Sequence, residues 1–246
     1  MKKTLILIPS RMAATRLPGK PLLKINNLSI ISHVFKRAQE ANIGEVVVAT
    51  DDQKIFKDVQ KNGGRAILTN KNHKTGTDRI YEAYKKMNIR NIDYILNLQG
   101  DEPDINKNDI INLNNFMIDQ DAELGTLAAK ITDKKMFNNR NVVKVITEKK
   151  LEENNFLRAL NFTRDNLSTE YKNIYHHIGI YSYKVSVLEK FISLEQTNNE
   201  KKNKLEQLRA LDNKLKINVA LASSSPIGVD TEEDYLAIKK IMEYKI

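Results

Sequence analysis

Short apolar runs of strand length alternate with segments of helical hydrophobic spacing through the first half of the chain, which restricts it to repeated strand–helix units around a largely parallel sheet. Thr4 to Pro9 reads as a buried strand, and Ile30, Ile31, Val34, Phe35 and Ala38 recur at helical spacing. Glu45 to Thr50 is the next strand. Ile55, Val59 and Ala66 flank a helix ending at Gly63-Gly64, and Tyr94 to Gln99 is a third strand. The pattern predicts a doubly wound α/β fold with a mostly parallel central sheet.

Beyond Gly100 the pattern loosens into a helix around Ile110 to Met117 and strands at Leu124 to Ala129, Val142 to Thr147, Ala159 to Thr163 and Ile174 to Tyr183. These read as a smaller group of strands inserted into or added onto the sheet. Asp165-Asn166 marks a surface excursion, and Ser193 to Lys204, poor in apolar residues, is expected to be mobile at least in part. Leu205, Leu208 and Leu211 mark a short helix, and Ile217 to Ala222 a strand. Thr231 to Tyr244 is a closing helix with Thr231 as N-cap and Asp234 three residues on. No repeat, heptad array or linker divides the sequence, so a single domain over 1–246 is expected.

A chain of 246 residues can enclose a substantial core. No apolar run reaches the roughly 18 residues that a membrane-spanning helix needs. Met1-Lys2-Lys3-Thr4 leads into too few apolar residues before Pro9 for a secretory signal, so the cytoplasm is the expected compartment and no membrane partner is expected. The absence of Cys excludes disulfides, thiolate catalysis and Cys-based metal sites. Forty Lys and Arg against 31 Asp and Glu give a formal charge of +9, which could attract nucleic acid, an anionic membrane or a phosphate-bearing small molecule. The basic residues are scattered, without a stripe interleaved with aromatics, and no nucleic-acid partner is expected.

The loop SRMAATRLPGKP, Ser10 to Pro21, carries Arg11, Arg16 and Lys20 past the end of the first strand, the edge at which open α/β sheets bind ligands. Three cations there suit a polyanion, and Pro18-Gly19 beside Lys20 implies a fixed turn. The loop is not a Walker motif, since Pro21 stands where Ser or Thr would meet magnesium, and no G-x-G-x-x-G occurs. LNLQGDEP, Leu96 to Pro103, puts Asp101 and Glu102 just beyond a buried strand, with Gly100 making room for close backbone approach. A carboxylate there suits Mg2+, which takes one or two carboxylates plus substrate phosphates; a helix-capping role for Asp101 is the alternative. Asp230 in PIGVDTEEDY is the second carboxylate candidate, with capping again the alternative. In HKTGTDRIYEA, Thr75-Gly76-Thr77 leads to Asp78 and Arg79 at a helix start, a geometry suited to reading an anion or a base edge, although Asp78 could serve only as the cap. The four His residues, His33, His73, His176 and His177, show no zinc-binding spacing, and no G-x-S-x-G elbow is present.

In their order and spacing, the blocks LILIPSRMAATRLPGKPLL, VVVATDDQKI, HKTGTDRIYEA, LNLQGDEP, NVVKV, HHIGIYSY, LEQLRAL and GVDTEEDY resemble the 3-deoxy-manno-octulosonate cytidylyltransferases, and the resemblance spans the whole chain. It implies a Rossmann-like nucleotidyltransferase fold whose smaller inserted strand region serves a homodimer. It also implies Mg2+-dependent transfer of CMP from CTP to the anomeric 2-hydroxyl of 3-deoxy-D-manno-octulosonate (Kdo), activating the sugar for lipopolysaccharide synthesis. By resemblance, Arg11, Arg16 and Lys20 hold the triphosphate, with Arg11 and Lys20 counted among the catalytic groups. Asp101 and Asp230 bind the magnesium that bridges α-phosphate and sugar. Thr75, Gly76 and Asp78 meet cytosine and ribose, and Arg79, Gln99, Arg164, His177, Tyr181, Glu206 and Gln207 meet the acid sugar.

The sequence departs from the family pattern where Ser10 replaces a common Ala, Thr75 a Ser, and Thr163-Arg164 a Ser-Arg pair. Asn27-Leu28-Ser29 stands where Gly-Lys-Pro is common, which leaves the path into the first helix open. A related acid sugar, 8-amino-Kdo or a sialic acid, is the alternative substrate, and a basic nucleic-acid-binding protein is the alternative from another class. The RLPGKP loop places the chain on the Kdo side.

Overall fold

The computed structural model describes residues 2–13, 16–165 and 172–244, and the chain forms two compact units, Met1–Ile111 with Pro226–Ile246, and Asn112–Ser225. The first unit opens with β1 (Thr4–Ser10), whose Leu5, Ile6, Leu7 and Ile8 are fully buried, as the central strand of a parallel sheet requires. Next, β2 (Lys24–Ile25) and β3 (Leu28–Ser29) make a small hairpin closed by Asn26 and Asn27 at φ 47° and 64°. Asn tolerates this left-handed backbone, which matches the twist of a two-residue turn. Ser29 then caps α1 (Ile30–Glu40), its hydroxyl accepting from the Ser32 N–H. The segment that departs from the family pattern is therefore a turn followed by a helix cap.

The unit continues with β4 (Gly44–Thr50), α2 (Gln53–Lys61), β5 (Arg65–Leu68), α3 (Gly76–Met87) and β6 (Tyr94–Asn97). The strands lie in the order β5-β4-β1-β6, all parallel, as expected of doubly wound α/β. Ala66, expected against a helix, lies instead on β5, an only partly buried strand too short to show its own period. At the carboxyl edge, a side chain on Gly100 would come within 2.9 Å of the Pro9 carbonyl, so only Gly lets the chain after β6 pass so close to β1.

The second unit follows α4 (Lys107–Asp119), which spans the boundary, and comprises β7 (Leu124–Ala129), α5 (Lys134–Asn138), β8 (Lys144–Thr147), β9 (Phe156–Thr163), β10 (Ile174–Lys184), α6 (Val185–Ser193), α7 (Asn198–Asn203), α8 (Gln207–Asp212) and β11 (Ile217–Leu221). Here antiparallel pairs dominate: β10 with β7 and β8, β9 with β8 and β11; β11 and β7 run parallel. Between Ile178 and Tyr181, β10 advances three residues while its partner on β7 advances one, a bulge at Gly179 and Ile180. The Ser193 to Lys204 segment, expected to be mobile in part, instead contains α7. Thr197 and Glu200 close it with a reciprocal capping box, which needs no apolar residues. Asp165 is exposed, and 166–171 of the expected surface excursion lie outside the described residues.

The chain returns to the first unit with α9 (Glu232–Tyr244). Its Ile238 and Met242 pack with Val229, Ile25 and Ile30, flanked by Leu17, Leu23 and Tyr235. Each such buried aliphatic side chain contributes roughly 1.5–3 kcal/mol. This cluster anchors both the loop carrying Arg16 and Lys20 and the segment carrying Asp230. Among the described residues no helix is long and apolar enough to cross a membrane.

Candidate active site

The carboxyl ends of β1 and β6, the start of α3 and the segment before α9 enclose a cavity of about 370 Å³ in the first unit. Its walls include Arg11, Arg16, Lys20, Thr75, Gly76, Arg79, Gln99, Asp101 and Asp230, nine residues that the sequence singles out from four separate segments. The volume suits a small polar ligand.

Gly19, at φ 73°, starts the single helical turn Lys20–Leu22 and turns Lys20 inward. The Lys20 ammonium donates to Asp101 Oδ2 at 2.7 Å and to Asp230 Oδ1 at 3.1 Å, so two carboxylates 129 positions apart in sequence share one cation. Burial works against the ammonium's charge, but Asp101 and then Asp230 outweigh it and hold its pKa above the ordinary 10.5. Lys20 therefore stays cationic across the neutral range. Arg16 donates to the other oxygen of Asp230 at 2.9 Å, an exposed and correspondingly weak pair.

Neither carboxylate is a helix cap. The closing helix is capped by Thr231, whose hydroxyl accepts from Asp234 N–H while the Asp234 carboxylate accepts from Thr231 N–H, so the Asp230 side chain is available to the cavity. Asp101 ties the segments together through its backbone carbonyl, which accepts from Val229 N–H at 2.9 Å.

The two carboxylates fit Mg2+: both reach one cation position, and oxygen donors of this kind suffice when substrate phosphates complete the coordination. Among the described residues no group of three or more His, Cys, Asp or Glu is placed to hold a metal ion by itself.

Thr75 caps α3, its hydroxyl accepting from the Asp78 N–H at 3.1 Å. The hydroxyl that the Ser-to-Thr departure preserves thus has a local task. Asp78 lies in the first turn of α3 and is not part of the cavity wall. Arg79, buried at 3% exposure, donates to Asp51 at 2.9 Å, to the Thr69 hydroxyl at 2.6 Å and to the Asn70 carbonyl at 3.3 Å while lining the cavity. Sequence reasoning missed Asp51, although its place directly after β4 repeats the strand-end signal that marks Asp101.

It also passed over His73, a cavity residue paired with Glu82. Partial burial opposes the Glu82 charge, but donors from Lys86, Asn70 N–H and His73 bring its pKa to about 2.

Glu102 is buried, and its Oε2 has no hydrogen-bond partner among the described residues. Burial, aided by the Asp101 charge, pushes its pKa up to about 8. An acid whose folded pKa lies above its unfolded one loses stability as pH rises between the two. Relative to Glu102→Gln, the wild-type protein is therefore expected to lose about 1.4 kcal/mol per pH unit between pH 4.5 and 8, measured by urea unfolding of both proteins across that range. A constant difference would contradict the burial of an ionisable carboxyl.

The sequence-derived sugar candidates Arg164, His177, Tyr181, Glu206 and Gln207 belong to the second unit. His177 packs edge-on against Phe162 at 5.0 Å and lies 5.4 Å from the Tyr181 ring. Burial first, then His176 and Arg164, lower the His177 pKa to about 3, so it is neutral. The Thr126 hydroxyl donates to the Ile180 carbonyl at 2.7 Å and is left to accept from His177 Nε2–H at 3.1 Å, pinning the β10 bulge beside Tyr181. Arg164 donates to the carbonyls of Arg140 and Asn141 at 3.3 and 3.1 Å, and the buried Lys144 holds the Arg164 carbonyl.

The cytidylyltransferase family model matches residues 5–217. The 3-deoxy-manno-octulosonate cytidylyltransferase of Afipia carboxidovorans is 42% identical over 240 residues, covering 97% of this chain and 96% of the relative. That of Brucella canis is 44% identical over 233 residues, covering 94% and 92%. Among solved structures, a CMP:2-keto-3-deoxy-manno-octonic acid synthetase complexed with CTP superposes with a TM-score of 0.90 at 34% identity, covering 100% of both chains. The 4-diphosphocytidyl-2C-methyl-D-erythritol synthase of Anaerococcus prevotii shares the fold at TM-score 0.64 and 13% identity, covering 98% of this chain and 99% of that one. The parallel sheet, the basic loop after its first strand and the paired carboxylates at its carboxyl edge thus occur in a chain that belongs to the cytidylyltransferase family, alongside the 3-deoxy-manno-octulosonate cytidylyltransferases.

Proposed function

We propose that the chain transfers CMP from CTP to the anomeric 2-hydroxyl of Kdo, releasing pyrophosphate. The observation that carries this reading is the convergence of Arg11, Arg16 and Lys20 with the Asp101–Asp230 pair on one cavity. Its similarity to a synthetase complexed with CTP supports the same reading.

In this reading the cations of the loop after β1 bind and neutralise the triphosphate, and the amino end of α3 with Thr75 and Gly76 receives the nucleoside. The oxygen of the sugar's 2-hydroxyl bonds to the α-phosphorus as its proton passes to solvent water. The α–β bridging bond breaks, and its electron pair leaves with pyrophosphate. Such a transfer depends mainly on positioning and charge neutralisation, and no covalent nucleophile is needed. Asp101 and Asp230 would hold Mg2+, which when bound supplies positive charge at the reacting phosphate. The sugar's carboxylate and hydroxyls are assigned to Arg79, Gln99, Arg164, His177, Tyr181, Glu206 and Gln207.

The reading includes a cytoplasmic homodimer that activates Kdo for lipopolysaccharide synthesis. Leu160, 54% exposed on β9, is a large apolar side chain of the second unit that a partner subunit would cover.

The test is pyrophosphate release with CTP and Mg2+, given Kdo, 8-amino-Kdo, a sialic acid or no sugar. Release that requires Kdo and metal is expected, because a site that hydrogen-bonds each hydroxyl discriminates strongly against an altered one. Preference for another acid sugar would move the substrate and keep the reaction; no release with any of them would overturn the assignment.

A further inference from the structure

The second unit buries an ion pair that the chemistry above does not use. Arg209 of α8 and Glu200 of α7 each have side chains only 4% exposed. The pair is bidentate, with Arg209 Nε donating to Glu200 Oε2 at 2.9 Å and Nη2 to Oε1 at 2.6 Å. Burying two opposite charges carries a desolvation cost that their attraction often only offsets, so stability alone gives little reason for such a pair.

Its surroundings give a better one. The same Nη2 lies 3.5 Å from Glu206 Oε1, three positions back in sequence. The guanidinium stacks over Phe191 at 4.6 Å, and from there rings follow one another to the candidate sugar residues: Phe191 to Tyr183 at 5.9 Å, Tyr183 to Tyr181 at 6.0 Å, Tyr181 to His177 at 5.4 Å. The buried Tyr181 hydroxyl is kept protonated by burial and by the charges of Tyr183 and Glu206, which places Glu206 within electrostatic reach of it. Glu200 takes the two short bonds and locks the guanidinium plane; Glu206 receives the longer contact and is oriented by a group that cannot itself swing away.

We propose that Arg209, clamped by Glu200, is a positioning residue for acid-sugar recognition: it fixes the Glu206 carboxylate and, through Phe191 and Tyr183, the Tyr181 ring. The inference rests on the reading of Glu206 and Tyr181 as sugar-binding groups given above. Lys in place of Arg keeps the charge and loses the fork that grips Glu200 and sets the 3.5 Å approach of Nη2 to Glu206. Gln in place of Glu200 keeps the capping box and loses the charge that locks Arg209.

The experiment measures KM for Kdo and for CTP, together with Tm, in Arg209→Lys, Glu200→Gln and Glu206→Gln. Arg209→Lys is expected to raise the KM for Kdo about tenfold, about 1.4 kcal/mol of lost orientation of the Glu206 carboxylate. The KM for CTP should stay within about twofold, and Glu200→Gln should shift the same parameter in the same direction. If Glu206→Gln raises the KM for Kdo while Arg209→Lys and Glu200→Gln lower only Tm, the pair is purely structural and the proposal is overturned. If Glu206→Gln itself leaves the KM for Kdo unchanged, the assignment of Glu206 to the sugar has failed, and the positioning role with it. Should Arg209→Lys not fold, Glu200→Gln decides by the same criterion.

Discussion

Replacing Asp230 or Asp101 by Ala is expected to lower kcat for CMP transfer by about a thousandfold, the effect of several kcal/mol of lost charge stabilisation on the reacting phosphate. The fold should survive both changes. Asp230 is half exposed, and the helix after it is capped by Thr231 and Asp234, so its carboxylate has no capping duty to lose. Asp101 holds the Val229 N–H through its backbone carbonyl, which Ala retains. Circular dichroism and Tm should therefore stay close to wild type while turnover collapses. Activity within about tenfold of wild type in either folded variant would show that the carboxylate does not serve the reaction.

The second large effect is expected at Lys20. Lys20→Met removes the ammonium shared by Asp101 and Asp230 and takes a cation from the proposed triphosphate position, so kcat/KM for CTP should fall at least about a hundredfold. It also leaves Asp101 without its ammonium partner and Asp230 with only the exposed Arg16, and the variant should melt below wild type. Added Mg2+ would meet those carboxylates without competition from the ammonium. Magnesium is therefore expected to raise the Tm of Lys20→Met more than that of wild type, by the linkage that lets any ligand of the native state stabilise it. Equal Tm shifts in the two proteins would argue against a metal position between Asp101 and Asp230. This readout needs no turnover and so separates metal binding from catalysis.

Features governed by local chemistry were legible in the sequence. The buried run of β1, the Thr231 cap with its Asp234 partner, and the close approach at Gly100 each follow from residue type and spacing within a few positions. Part of the cavity was legible because Arg11 directly follows β1 and Gln99 to Asp101 closely follow β6, and the strand ends of a parallel sheet share one edge. Features set by distant partners were hidden. Ala66 carries no mark of β5, whose pairing with β4 decides its place, and α7 looked featureless because a capping box and the Glu200–Arg209 pair, not an apolar stripe, hold it. The Asn26–Asn27 turn could have been read from residue type alone, since successive Asn residues tolerate the left-handed backbone. Arg79 shows the remaining difficulty: the sequence marks a cation near a ligand site, and only the fold shows that Asp51, Thr69 and Asn70 hold its guanidinium.

The most direct test of the central claim is phosphorus NMR of CTP and Kdo incubated with the purified protein and Mg2+. The account predicts loss of the three triphosphate resonances and growth of one phosphodiester signal together with pyrophosphate in equal amounts, only when Kdo is present. Phosphate or CDP appearing in place of the phosphodiester, or triphosphate signals that persist with every acid sugar supplied, would contradict it.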